Sequence, residues 1–258
     1  MALGCPMDLG ISGKNALVTG SSKGLGKAAA LRLAEEGSNV VINGRTKSTL
    51  EETAEEIRET SDNEVIPIQA NMTNKEEIQN LVSEAENQLS TIDICVANAG
   101  GPPVGGFEEF TDNDWQHAFE LNLLSSVRLA RQTVPKMANR GWGRMIFITS
   151  IAVKQPLDGF LLSNSVRLGV EGLAKTLSNR YASEGVKVTC AQPGYTNTKR
   201  LEDIPQEEHD EITSNIPVRR FGEPEEFGDV IAFLASKRAS NVTGASVAVD
   251  GGFSDSVL

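Results

Sequence analysis

The amino-acid sequence predicts an α/β fold: one domain, a doubly wound and mostly parallel seven-stranded sheet, and helices on both of its faces. Three observations predict it. Short β-branched runs alternate with longer helical patterns along the whole chain. The runs are apolar throughout, as in strands buried on both faces of a parallel sheet. The length of 258 residues suits one large α/β domain, and no linker, repeat or low-complexity segment divides it.

The elements follow in order. NALVT (15–19) reads as a strand and Gly24 to Glu36 as a helix. NVVIN (39–43) is a strand, followed by a helix from Ser48 to Thr60. EVIPIQA (64–70) precedes a helix from Asn74 to Leu89, and IDICVAN (92–98) precedes a long helix from Thr111 to Met137. RMIFIT (144–149) leads to a helix from Leu161 to Glu184. VKVTCAQ (186–192) leads to an irregular stretch, then a helix from Pro224 to Ala235, and ASVAVD (245–250) closes the pattern. Residues 1–12 read as a flexible start and 193–223 as a substrate lid, since long Gly- or Pro-rich loops in a compact domain are often binding loops.

Bulk properties exclude several function classes. The net charge of −11 argues against nucleic acid, which selects a basic face. No apolar run approaches the ~20 residues that cross a bilayer, and MALGCPMDLGISGKN lacks the form of a signal peptide, so a cytoplasmic location without membrane contact is expected. Cys5, Cys95 and Cys190 are widely spaced, the latter two in strand-like runs, and read as core thiols. Only His117 and His209 are present, without metal-ligand spacing, so no metal site is expected. The acidic run LEDIPQEEHDE reads as a solvated helix face.

The first strand runs into Thr19-Gly20-Ser21-Ser22-Lys23-Gly24-Leu25-Gly26. Glycines there allow a sharp turn and close approach to a pyrophosphate, and the next helix offers its N-terminal N–H groups. An ordinary tight turn is the bland alternative. Strand before, helix after and the first βα position favour a dinucleotide site of Rossmann type.

The TGxxxGxG spacing resembles the short-chain dehydrogenase/reductase family, and further motifs follow in the family's order. Asn98-Ala99-Gly100 resembles its NAG element, Asn122 in FELNL its helix asparagine, Ser150 its catalytic serine, Pro193-Gly194 with Thr198 its PGxxxT, and VTGASVAVDGG its final strand and turn. The resemblance implies cofactor contacts from Gly20, Ser22, Lys23, Gly24, Leu25, Gly26, Asn98, Ala99, Gly100, Pro193, Gly194, Thr196 and Thr198. It also implies a homo-oligomer, a tetramer built on the two long helices and the C-terminal strand.

The end of the second strand, Asn43-Gly44-Arg45-Thr46-Lys47, lacks the carboxylate that binds the ribose 2′-hydroxyl of NAD. Arg45 suits a 2′-phosphate, and Lys23 adds a second cation. Family members that prefer NADP(H) carry basic residues at both places. NADP(H) is therefore expected over NAD(H), with solvated surface charge as the alternative. Asn71-Met72 stands where the family places Asp and an apolar residue against adenine. Asn71 reads equally as a turn residue.

The catalytic pattern departs from the family. Hydride transfer to a carbonyl needs a proton donor, a hydrogen bond to the substrate oxygen and a tuning cation. The family supplies Tyr, Ser and Lys, with Tyr and Lys as YxxxK about thirteen residues after Ser. Here Ser163 and Arg167 occupy those places, in Ser163-Asn164-Ser165-Val166-Arg167. This resembles a divergent 3-oxoacyl-carrier-protein-reductase-like subgroup with SNxxR. Serine is a far weaker acid than a phenol of pKa about 10. Arg167 stays charged and suits the nicotinamide ribose, as the family's lysine does. Three substitutes for the acid stand open: Tyr195 (or a packing aromatic), Lys154 (or a surface lysine), and a water held by Ser150 and Ser163. The expected function is a carbonyl reductase or alcohol dehydrogenase acting on a small molecule. The alternatives are a dinucleotide-binding sensor or subunit partner without hydride transfer, and a non-redox lyase or isomerase on the same scaffold.

Overall fold

The computed structural model describes residues 7–257. The seven strands are β1 Asn15–Val18, β2 Asn39–Gly44, β3 Val65–Gln69, β4 Ile94–Ala97, β5 Gly143–Ile148, β6 Val186–Pro193 and β7 Ser246–Val249. They form one sheet in the order β3-β2-β1-β4-β5-β6-β7. Every pairing is parallel, so the expectation of a mostly parallel sheet sharpens to an all-parallel one. Pro67, which has no N–H for a ladder, sits in edge strand β3.

The helices are α1 Gly24–Glu35, α2 Lys47–Arg58, α3 Lys75–Leu89, α4 Asp112–Ala118, α5 Ser125–Asn139, α6 Leu161–Tyr181, α7 Gln206–Asn215 and α8 Pro224–Ala235. Alternate strand residues feed two cores. Ala16, Val18, Val40, Ile42, Ile94 and Val96 pack with α1, α2 and α8. Leu17, Val41, Cys95 and Ala97 pack on the other face with α3, α5 and α6. This is why the strands read as unbroken apolar runs: neither face meets water. Cys95 and Cys190 are buried free thiols, and Cys5 lies outside the described residues.

Three expectations change. The long helix over 111–137 is interrupted between α4 and α5 by the π-helical segment Phe119–Leu124, which carries Asn122. Such segments often mark functional positions. The stretch after β6 holds a helix, α7, whose buried side chains are none. Of the start expected to be flexible, 1–6 lies outside the described residues, whereas 8–11 is tied down. Ile11 is buried, Lys237 N donates to Leu9 O at 2.9 Å and Arg238 Nε to Asp8 O at 2.8 Å.

Chain order reverses between β1 and β4. Connections after β1 run one way to β2 and β3, and the later ones run the other way. A crevice at the strand C-termini follows from that reversal, and the sequence motifs cluster there.

Candidate active site

The glycine loop is strapped to three strand ends. Thr19 Oγ1 donates to Asn98 O at 2.7 Å, and Asn98 N donates back to Thr19 Oγ1 at 3.0 Å. Asn98 Nδ2 donates to Gly20 O at 3.0 Å. From β2, Asn43 Oδ1 accepts from Gly20 N and Asn43 O from Ser21 N, at 3.3 and 2.8 Å. Asn43 Nδ2 reaches Ile68 O and Ala70 O past β3. Gly20 and Gly24 hold φ of +58° and +57°, a region costly for other residues. Gly26 has no room for a side chain: a Cβ there would overlap Gly20 O and come within 2.7 Å of Asn98 Nδ2. Helix α1 starts at Gly24 without a side-chain cap, leaving its first N–H groups for an anion. Thr198 closes over this point, its Cγ2 lying 3.7 Å from a Cβ placed at Gly24. Such a cradle fits a dinucleotide pyrophosphate.

The β2 end packs tightly on the loop. A Cβ at Gly44 would come within 2.9 Å of Ser22 Cβ. Arg45 and Lys23 are the chain neighbours of this contact. Both are exposed, and neither is in an ion pair among the described residues. Asn71 behaves as a turn residue: its Oδ1 accepts from Thr73 N at 3.1 Å and Thr73 Oγ1 at 3.0 Å, with Met72 buried beside it.

On the other side of the switch, Ser150 follows β5 and caps the short 3-10 turn Ile151–Val153. Its Oγ accepts from Ala152 N at 3.1 Å. Ser163 and Arg167 are both buried on α6, one turn apart on one face. Arg167 Nη1 donates to Ile148 O at 2.9 Å and Thr149 O at 3.1 Å, tying α6 to the β5 end. Burial, then the nearby charge of Arg200, brings the Arg167 pKa down to about 10. Asn164 Nδ2 donates to Leu157 O at 3.0 Å and pins the preceding loop. Asn122 Nδ2 donates to Gly100 O at 3.0 Å, and its buried Oδ1 has no partner among the described residues. No hydrogen bond joins Ser150 to Ser163 among the described residues. Lys154 is half-buried just after the 3-10 turn and forms no ion pair there.

Pro193-Gly194 ends β6 against the last turn. Gly194 N donates to Val249 O at 3.0 Å, and a Cβ at Gly194 would meet Asp250 Cβ at 2.7 Å. The following segment hangs from a neck: Gly222 N donates to Tyr195 O at 3.0 Å and Asn197 N to Gly222 O at 2.8 Å. The buried Thr196 lies between them, its Oγ1 donating to Gly194 O at 3.3 Å. The Tyr195 ring packs edge-on against Phe253 with centroids 5.2 Å apart, and lies 6.4 Å from Phe221. Burial and the charge of Glu208 raise its pKa.

Three residues of the region escape a motif reading. Asn43 shapes the loop. Only a polar residue ending an apolar strand hints at Asn43. Glu171 on α6 accepts from Thr149 Oγ1 at 2.7 Å and Gln192 Nε2 at 3.0 Å, and also from Ser246 Oγ, joining the ends of β5, β6 and β7. Its signal is a carboxylate one helical turn after Arg167. Arg200 has no sequence signal, because only the fold carries it to the crevice.

Comparison with known proteins agrees with this arrangement. A family model described as Enoyl-(Acyl carrier protein) reductase matches residues 20–254. The 3-oxoacyl-[acyl-carrier-protein] reductase of Staphylococcus epidermidis is 32% identical over 239 residues, covering 93% of this chain and 98% of that protein. The acetoacetyl-CoA reductase of Cupriavidus necator is 33% identical over 161 residues, which is 62% of this chain and 65% of that protein. Against several such relatives the matched stretch is therefore under two thirds of their length, down to 59% for human dehydrogenase/reductase SDR family member 4. Among solved structures, L-sorbose reductase of Gluconobacter frateurii complexed with NADPH and L-sorbose superposes with a TM-score of 0.90 at 32% identity, covering 97% of this chain and 100% of that one. A 7α-hydroxysteroid dehydrogenase complexed with NADH superposes with a TM-score of 0.91 at 27% identity, covering 97% and 98%. The chain belongs to the short-chain dehydrogenase/reductase family of oxidoreductases.

Proposed function

We propose that this chain is an NADP(H)-dependent oxidoreductase that moves a hydride between nicotinamide and a small carbonyl or alcohol substrate. Ser163 and Arg167 replace the family's tyrosine and lysine in it. The contact of Gly44 with Ser22, whose chain neighbours are the exposed cations Arg45 and Lys23, supports the cofactor preference. Structural neighbours include both an NADPH and an NADH complex, so the preference rests on this chain's own cations.

When bound, the cofactor donates or accepts the hydride at its nicotinamide ring. The rest falls to side chains. Gly20 to Gly26 and Thr198 hold the pyrophosphate, and Asn98, Ala99, Gly100, Pro193, Gly194 and Thr196 line the path to the nicotinamide. Ser150 already accepts from Ala152 N, so its O–H is left to donate to the substrate oxygen. Asn122 offers a buried acceptor that seeks a donor. Arg167 supplies fixed positive charge beside the ribose. In the reductive direction the proton reaches the oxygen from water held between Ser150 and Ser163, and bulk solvent reprotonates that water. Lys154→Met and Tyr195→Phe, made separately, test the two other donors, and unchanged turnover in both leaves the water or Ser163.

Dissociation constants measured by cofactor fluorescence test the preference. NADPH should bind more tightly than NADH, and Arg45→Ala should cost about 1.5–3 kcal/mol of NADPH binding, a factor of ~10–150. Tighter binding of NADH refutes it. A screen of aldehydes, ketones, sugars and alcohols, followed by NADPH absorbance, tests turnover. Binding without turnover on any of them assigns the chain to a second reading, a dinucleotide-binding protein without hydride transfer. One observation favours that reading: position 163 of α6 carries a serine and not a phenol, and the Tyr195 hydroxyl is made less acidic by its surroundings.

Two coarser expectations belong here. Exposed Phe119 and Leu168, beside and on the long helices, support a homotetramer, which light scattering on the eluting protein checks. Free Cys95 and Cys190 support a reducing, cytoplasmic setting, which cell fractionation checks.

A further inference from the structure

The segment after β6 sends one side chain across the crevice. Arg200 lies on the 3-10 turn Lys199–Asp203, within the 197–222 excursion. Its Nη2 donates to Pro102 O at 3.3 Å, and its guanidinium carbon lies 5.8 Å from the centroid of the Phe160 ring. The guanidinium rests against Gly101, where any side chain would overlap it. Gly101 and Pro102 follow β4, and Phe160 immediately precedes α6. Gly101 and Pro102 continue directly from Asn98-Ala99-Gly100, and Phe160 stands three residues before Ser163.

A second guanidinium lies behind the first. Arg167 is only 8% exposed, and its hydrogen bonds go to the neutral carbonyls of Ile148 and Thr149. No carboxylate among the described residues pairs with it. Its charge and that of Arg200 repel each other. A protein of net charge −11 thus sets two cations at one end of its crevice, one of them buried without a counter-charge. Such a charge is costly unless something pairs with it. A bound anion relieves both the burial cost and the repulsion.

We propose that Arg200, backed by Arg167, binds the carboxylate of an oxo-acid or hydroxy-acid substrate. The planar guanidinium fork matches a carboxylate with two parallel hydrogen bonds. Phe160 and Val104, the latter 57% exposed at the same mouth, face the carbon chain. The inference rests on the oxidoreductase reading and narrows its substrate class to organic anions.

Calorimetry tests it without turnover. The full chain with NADP+ is titrated with acetoacetate, 2-oxobutanoate and 3-oxooctanoate, and with their methyl esters, because the oxidised cofactor cannot reduce an oxo acid. The same titrations are repeated without cofactor. At least one acid should bind about tenfold more tightly than its ester. Arg200→Met should abolish that difference, weakening the acid about tenfold while leaving the ester and NADP+ within about twofold. Acids no tighter than esters would overturn the proposal. So would an Arg200→Met variant with unchanged acid affinity, or one that loses NADP+ instead, which would assign Arg200 to the pyrophosphate. If NADP+ does not bind at all, the cofactor reading fails separately. Selective acid binding to the free chain then still supports the carboxylate site, and its absence overturns that site too.

Discussion

Gly26→Ala tests the phosphate cradle. The new methyl group would overlap Gly20 O and meet Asn98 Nδ2 at 2.7 Å. Neither neighbour is a flexible side-chain end. Gly20 is fixed by Asn43 and Asn98 holds it from the other side, so the loop must move. Overpacking of this kind costs about 1–3 kcal/mol. Losing the bond from Asn98 Nδ2 to Gly20 O adds about 0.5–1.5 kcal/mol. At about 2–4 °C per kcal/mol for a chain of this size, the melting midpoint should fall by roughly 3–18 °C. NADPH affinity should fall with it, because the same N–H groups bind the pyrophosphate. Gly172→Ala is the control, since nothing lies within 4 Å of a Cβ there. Differential scanning fluorimetry and NADPH fluorescence titration read both effects. A Gly26→Ala protein with the parent's midpoint and affinity would refute the cradle, because the loop would then not need its close contact.

Tyr195→Phe should leave turnover unchanged and keep the fold, since the ring and not the hydroxyl makes the contacts with Phe253 and Phe221. A fall in kcat of a hundredfold or more would make it the missing acid. Glu171→Ala should lower stability by about 1–3 kcal/mol in urea unfolding, since it leaves the buried Gln192 with an unanswered donor and removes the acceptor shared by Thr149 and Ser246. A change below about 0.5 kcal/mol would show that the network relaxes freely. The Glu226 carboxyl, bonded by Arg220 and the Glu223 N–H, has its pKa lowered to about 2. A depressed carboxyl contributes stability above its unfolded pKa and loses it as pH falls through the folded one. The midpoint difference between the parent and Glu226→Gln should therefore be present at pH 6 and shrink between about pH 4.5 and pH 2. A difference constant over that range would contradict the pairing.

The sheet was legible because burial on both faces writes itself into local composition. Runs such as VVI at 40–42 and MIFI at 145–148 need no partner to be recognised. The break at Phe119–Leu124 was not legible. A π-helical turn is a small departure from an amphipathic pattern that continues on both sides. Asn71 and Tyr195 left two readings each. The turn of Asn71 onto Thr73 is local, whereas the packing of the Tyr195 ring on Phe253 depends on what lies opposite, which spacing does not encode.

The sequence by itself determined the fold class and the strand–glycine loop–helix order of the first βα unit. Both are local patterns whose meaning is fixed by residue type, backbone permissiveness and helical or strand period. Tertiary structure alone decided that Asn43 and Asn98 hold that loop from two strand ends, that Arg167 spends hydrogen bonds on the β5 carbonyls, and that Arg200 crosses from the segment after β6 to Gly101 and Phe160. Those contacts join residues up to about a hundred positions apart, and only closure of the sheet and its loops sets their distances.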